Sequence, residues 1–109
     1  MHFEQVDKML CYLRDNNKES FNFNKALEEA TEFNEVLLKY VTKHPDNKPD
    51  KLEILKEYGD FLYRGYVALG VLFKDKTFEE IDNLLQQHIT NKFIKLEKYK
   101  KEGKYKGGL

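Results

Sequence analysis

The chain has 109 residues, enough for one modest hydrophobic core and a single domain but not for two. Phenylalanine and tyrosine are plentiful, tryptophan is absent and only two prolines occur, which favours a helical protein with few breaks and mostly solvated, charged helix faces. Nineteen acids balance nineteen bases, so the field of the whole molecule singles out neither a nucleic acid polymer nor an anionic membrane, although acid collects in residues 28–60 and base in residues 92–106.

Phe3, Val6, Leu10 and Leu13 recur at i, i+3, i+7 and i+10 and predict a short amphipathic first helix that Asn16 and Asn17 end. The polar stretch 18–24 reads as a connection, with Asn24 as the N-cap of the next helix. Ala26, Ala30, Phe33, Leu37 and Tyr40 form the stripe of that second helix, which runs to about Thr42. Residues 42–50 hold both prolines, Pro45 and Pro49, together with Asp46 and Asn47, and form a loop. Asp50 followed by Glu53 is a capping-box pattern. It opens a third helix to about Phe73, with Leu52, Leu55, Leu62, Tyr66 and Leu69 as its stripe. Thr77 and Glu80 repeat the pattern and open a fourth helix carrying Phe78, Ile81, Leu85, Ile89, Phe93 and Leu96. Beyond roughly Lys100 the chain is rich in lysine and glycine, so a flexible basic tail is expected over about residues 98–109. Strand-like alternation and repeats of fixed period are absent. The expected fold is all-α, an antiparallel helical bundle of about four helices.

Cys11 is the only cysteine, which rules out an internal disulfide and suits a reducing compartment. No apolar run reaches membrane-spanning length, and Met1 leads straight into a charged periodic segment rather than a signal peptide. A cytoplasmic protein without a membrane partner is expected.

Two carboxylate pairs, Glu29/Glu32 and Glu57/Asp60, stand out on the second and third helices. Residues three apart on a helix lie about 60° from one another, so each pair shares a face. Glu29 follows Ala26 and precedes Phe33, and Glu32 precedes Val36. Glu57 falls between Ile54 and Phe61, and Asp60 precedes Tyr63 and Val67. Each pair thus borders a packed stripe. At about 4 Å two like charges repel by about 4 kcal/mol even at an effective dielectric of about 20, and a divalent cation resolves that conflict. Hard oxygen ligands select Mg²⁺ or Mn²⁺ over zinc, and Mg²⁺ shares its remaining positions with water and phosphate oxygens. A single pair of this kind on a charged helix is ordinarily solvated surface; two on consecutive helices point to a phosphate-ester hydrolase.

Glu28-Glu29-Ala30-Thr31-Glu32 followed by Glu57-Tyr58-Gly59-Asp60 resembles the EExxE…ExxD signature of the all-α nucleotide pyrophosphohydrolases, the MazG-like superfamily. The run from Glu57 to Tyr63, with the later Lys76-Thr77-Phe78-Glu79-Glu80-Ile81, is also similar to the phosphoribosyl-ATP pyrophosphohydrolase branch. The similarity covers about residues 26–96. It implies a single MazG-like helical domain in which Glu29, Glu32, Glu57 and Asp60 hold Mg²⁺ against a nucleotide's phosphates. It also implies hydrolysis of a nucleoside triphosphate, or a related nucleotide, to the monophosphate and pyrophosphate. Glu28 is the weaker catalytic candidate, orienting a ligand or water or else merely solvated.

Substrate contacts are sought one turn after Asp60, at Tyr63 and Arg64, and on the fourth helix at Asn91, Lys92 and Lys95. Each has a plainer reading: core packing for Tyr63, a surface ion pair for Arg64, and a solvated basic face for the lysines. The basic tail either folds over the site or is disordered. Gly59 costs roughly 1 kcal/mol against alanine in a helix, which suggests close approach by another helix or by substrate. His2, His44 and His88 share no metal-like spacing, and Cys11 reads as a small core residue. A carboxylate-bridged di-iron bundle would need Glu-x-x-His pairs, and His88 is not three residues after a glutamate. A non-catalytic helical interaction protein is the remaining alternative. A small unit with so many apolar positions leaves surface to cover, and relatives of the resembled family are commonly dimers or tetramers, so a homodimer or homotetramer is expected.

Overall fold

The computed structural model describes residues 4–42 and 45–107. Among them the protein is all-α: α1 (Glu4–Asp15), α2 (Glu19–Thr42), α3 (Lys51–Leu72) and α4 (Phe78–Lys101), with a short 3-10 turn at Pro45–Asn47. Phe3, His2 and His44 lie outside the described residues. The helices form a bundle in which α2 and α3 pack along their lengths, α1 lies on α3, and α4 meets α3 through its first turns.

The core sits where α1, α3 and the start of α4 converge. Leu10, Val67, Phe78 and Ile81 are buried together, and Val6, Leu13, Tyr66, Leu69, Leu85 and the half-buried Cys11 pack around them. Gly70 makes this junction possible. A Cβ there would fall 2.6 Å from Cζ of the Phe78 ring, so only glycine lets the first residue of α4 lie flat on α3. Gly59 has no such neighbour, since a Cβ there would meet nothing within 4 Å. Among the described residues no other helix makes the close approach expected at Gly59; the tight helix contact is at Gly70. A second, smaller apolar contact joins α2 to α3: Phe33 stacks with Phe61 at 6.1 Å between centroids and meets Tyr58 edge-on at 5.3 Å. Val36, buried on the same face of α2, extends this contact.

Helix ends follow local chemistry where the sequence supplies it. Thr77 Oγ1 accepts from the Glu80 N–H at 3.1 Å, and the Glu80 carboxylate accepts from the Thr77 N–H at 2.9 Å, completing the capping box. Asp50 caps α3 through the Leu52 N–H at 3.1 Å, while Glu53 lines an acidic cleft instead of closing the box. Helix α4 ends in a Schellman arrangement, with Gly103 at φ 70°, its N–H donating to Lys100 O at 3.2 Å and the Lys104 N–H to Tyr99 O at 2.8 Å. The first four residues of the expected tail, 98–101, are thus helical.

Three expectations change. The connection between α1 and α2 is only residues 16–18, and Phe21, Asn22, Phe23 and Asn24 are already helical, so Asn24 is no N-cap. The reason is Asn22, a polar residue at a wholly buried position, whose Nδ2 reaches the Arg14 carbonyl at 3.5 Å and ties α2 to the end of α1. On α3 the described part of α1 covers the apolar stripe only in its second half; Leu52 and Leu55 are 53% and 63% exposed. On α4 the stripe is buried through Phe78 and Ile81 and half-buried at Leu85, but Ile89, Phe93 and Leu96 are bare. Every described residue from Gln86 onward is exposed, His88 included. The radius of gyration, 17.3 Å, exceeds the roughly 13 Å of a compact chain of this length for that reason.

Candidate metal centre

Antiparallel packing of α2 on α3 brings the two acidic pairs face to face, one turn from the Phe33–Tyr58–Phe61 contact. Glu29, Glu57 and Asp60 each place a carboxylate oxygen within 4.8 Å of the other two. Glu29 stands one turn before Phe33 on α2 and Glu57 and Asp60 adjoin Tyr58 and Phe61 on α3, so the acids and the aromatic contact share one seam. Oε2 of Glu29 and Oε2 of Glu57 are buried and have no hydrogen-bond partner in the structure. Loss of solvent raises the proton affinity of both residues, and neighbouring acids add to it: Glu32, Asp60 and Glu57 for Glu29; Glu32, Asp60 and Glu53 for Glu57. The charged groups acting on the pair are all acidic, so burial and repulsion push in the same direction.

Glu32 is exposed at the rim of this cluster and repels both buried glutamates. It also lines a cleft of about 490 Å³ between the second half of α2 and the first half of α3, with Glu35, Asp46, Glu53, Glu57 and the cations Lys39 and Lys48. Glu53 escaped notice in the sequence because its spacing to Asp50 suggested a cap. Its position one turn before Glu57 was the available signal. Glu28 points away, paired with Lys25 at 3.2 Å on the solvent side.

The other candidates are dispersed. Tyr63 packs against the Leu10–Val67 core and lines an apolar cavity of about 220 Å³ with Val6, Met9, Gly59, Leu62 and Tyr66, on the side of α3 that faces α1. Arg64 lies with its guanidinium 5.2 Å from the Tyr63 ring centroid, and its Nε and Nη1 are buried without a hydrogen-bond partner. Asn91, Lys92 and Lys95 stand on the bare outer half of α4, where the Lys95 ammonium lies over the Tyr99 ring at 5.5 Å.

A second buried acid is of a different kind. Asp82, on the inner face of α4, accepts from Tyr66 Oη at 2.6 Å and from Gln86 Nε2 at 2.9 Å. The Tyr66 hydrogen bond holds the Asp82 carboxyl below the usual carboxylate range, while burial, reinforced by Asp82, pushes the Tyr66 phenol up to about 12.

Three clustered carboxylates, two of them with an orphaned buried oxygen and none with an ion-pair partner among the described residues, form a donor set that suits a hard divalent cation. Among the described residues no helix is long and apolar enough to cross a membrane. Compared with known proteins, the chain matches no family model, no curated protein and no solved structure.

Proposed function

We propose that this protein is a Mg²⁺-dependent nucleotide pyrophosphohydrolase of the MazG-like kind, with Mn²⁺ as a substitute ion. The observation that carries the reading is the meeting of Glu29, Glu57 and Asp60 within 4.8 Å, at the positions where the EExxE…ExxD resemblance puts metal ligands. The orphaned oxygens of Glu29 and Glu57 fit the ion, because a cation would supply the partner that the fold does not. Glu29, Glu57 and Asp60 would hold it, with Glu32 completing the set from the rim. Bound there, a divalent ion would offset the charge of the phosphates and lower the pKa of an attacking water.

The chain's own contribution is positioning and proton transfer. Water oxygen forms a bond to phosphorus, the anhydride bond breaks and pyrophosphate leaves with the bonding electrons. The raised proton affinity of Glu29 and Glu57 suits a carboxylate that takes the water's proton in this step. Arg64, whose guanidinium has two buried nitrogens without partners, is the best placed of the proposed phosphate contacts. Tyr63, Asn91, Lys92 and Lys95 are dispersed from the acidic cluster within the chain, which gives them no support as contacts, and the substrate is read as a nucleoside triphosphate or phosphoribosyl-ATP. The protein is read as a cytoplasmic homo-oligomer.

The test is pyrophosphate release across ribo- and deoxynucleoside triphosphates and phosphoribosyl-ATP with Mg²⁺ present. Glu57→Gln should abolish release while leaving the helical circular dichroism unchanged; full activity in that variant sinks the assignment. The second reading, a non-catalytic helical interaction protein, draws on the extent of exposed apolar surface on α3 and α4. It predicts tight binding to a partner and no change in melting temperature with Mg²⁺.

A further inference from the structure

The cleft between α2 and α3 continues the acidic cluster. Glu57 belongs to both, and Glu32 lines the cleft from the cluster's rim. Its volume of about 490 Å³ falls within the range of about 300–1,000 Å³ in which small ligands bind. Most such sites are apolar, whereas charged side chains dominate this one, which suits a charged occupant.

Two cations line the cleft among the described residues, Lys39 and Lys48. Lys39 is seven residues after Glu32, so it shares that face of α2 about 10 Å further along. Lys48 comes from the connection to α3, and its ammonium lies 5.0 Å from the Tyr40 ring centroid, a contact that holds the loop lysine against α2. Glu35, Asp46 and Glu53 line the same cleft, yet neither lysine is ion-paired with an acid among the described residues. Both ammonium groups therefore have donors to offer a ligand.

The balance of charge narrows the ligand further. Five acids against two lysines repel a bare polyphosphate. A polyphosphate bound together with a divalent ion at Glu29, Glu57 and Asp60 has part of its charge cancelled, and the lysines then face the phosphate oxygens that the ion does not take.

We propose that this cleft is the polyphosphate subsite of the metal centre, in which Lys39 and Lys48 hold the nucleotide's phosphates beyond the ion, and in which the surrounding acids make that binding conditional on the ion. The inference rests on the metal-dependent reading above and adds where the phosphate chain lies.

Calorimetric titration of the full chain with inorganic tripolyphosphate, with and without Mg²⁺, tests it. The wild type should bind tripolyphosphate with Mg²⁺ and show no binding without it. Lys39→Ala and Lys48→Ala should each weaken binding by about 10-fold or more, and Lys39→Arg and Lys48→Arg should retain most of it. Affinity for Mg²⁺ alone should be unchanged in both alanine variants, as it would not be if they disturbed the acidic cluster. Lys8→Ala combined with Lys18→Ala removes the same charge away from the cleft and should leave tripolyphosphate binding unchanged. Alanine variants that bind as the wild type does, tripolyphosphate that binds equally well without Mg²⁺, or a wild type that binds Mg²⁺ but no tripolyphosphate overturns the subsite and leaves the metal centre standing. A wild type that binds neither overturns both. Lysine-dependent binding in a protein that releases pyrophosphate from no nucleotide supports the subsite and overturns the hydrolase.

Discussion

Two acidic places in this bundle differ in what their surroundings provide. At the core end, Asp82 is buried with hydrogen bonds from Tyr66 and Gln86 and titrates below its ordinary range. Between α2 and α3, Glu29 and Glu57 have buried oxygens without donors, face further acids and titrate above theirs. One carboxylate is given its donors by the fold, and the others keep a buried oxygen that no donor among the described residues reaches. Burial alone therefore does not distinguish a structural acid from a ligand; the supply of donors does.

The largest effect that would sharpen this contrast is at the core end. Tyr66→Phe removes the 2.6 Å hydrogen bond and leaves Asp82 short of a donor, so unfolding free energy should fall by about 1.5–3 kcal/mol in urea titrations. The corresponding experiment at the other end has the opposite sign. In metal-free buffer at neutral pH, Glu57→Gln removes a repelling charge and should raise the melting temperature or leave it unchanged. Mg²⁺ at about 100 times its dissociation constant should stabilise the wild type by about 2.7 kcal/mol, and this gain should be missing in Glu57→Gln. A wild type indifferent to Mg²⁺ would erase the distinction between the two places.

Packing separates the same two regions. Gly70→Ala drives a methyl against the Phe78 ring and should cost about 1–3 kcal/mol of overpacking, against which helix propensity returns about 1. Gly59→Ala meets open space and should stabilise by up to about 1 kcal/mol. Thermal melts of the two variants, moving in opposite directions, are the check.

Smallest is the response to pH. Asp82, lowered in the folded state, contributes stability above the ordinary aspartate value of about 3.9, and that contribution is lost as pH falls through its folded value. Glu29 and Glu57, raised in the folded state, bind protons more tightly there than in the unfolded chain. Metal-free protein should therefore gain stability as pH falls from neutrality toward the ordinary glutamate value of about 4.3, then lose it below about 4. With Glu29 and Glu57 both changed to glutamine, the rise should vanish from the melting-temperature profile.

Features set by neighbours in the chain were readable before any coordinates. The capping box at Thr77 and Glu80, the cap at Asp50 and the shared face of Glu57 and Asp60 all follow from spacing along one helix. What was hidden depends on residues distant in sequence. Asn22 looks like a loop residue until the Arg14 carbonyl is beside it, and Gly70 matters only because Phe78 returns across a turn. The apolar period of α4 was visible as far as Leu96, but periodicity does not say whether the surface that covers Phe93 belongs to the same chain. The same limit applies to Lys92 and Lys95, which the isolated chain leaves on bare helix.

The turn at Thr77 has a mechanical consequence. Helix α4 is anchored by its capping box, by Phe78 beneath Gly70 and by Asp82, all within its first five residues, while the other end is unsupported. It is a cantilever about 35 Å long, and a tilt of about 10° at its root carries Lys101 through about 6 Å. Small repacking around Gly70 is thus magnified at the far end, which makes one glycine the gauge of where the lysines point.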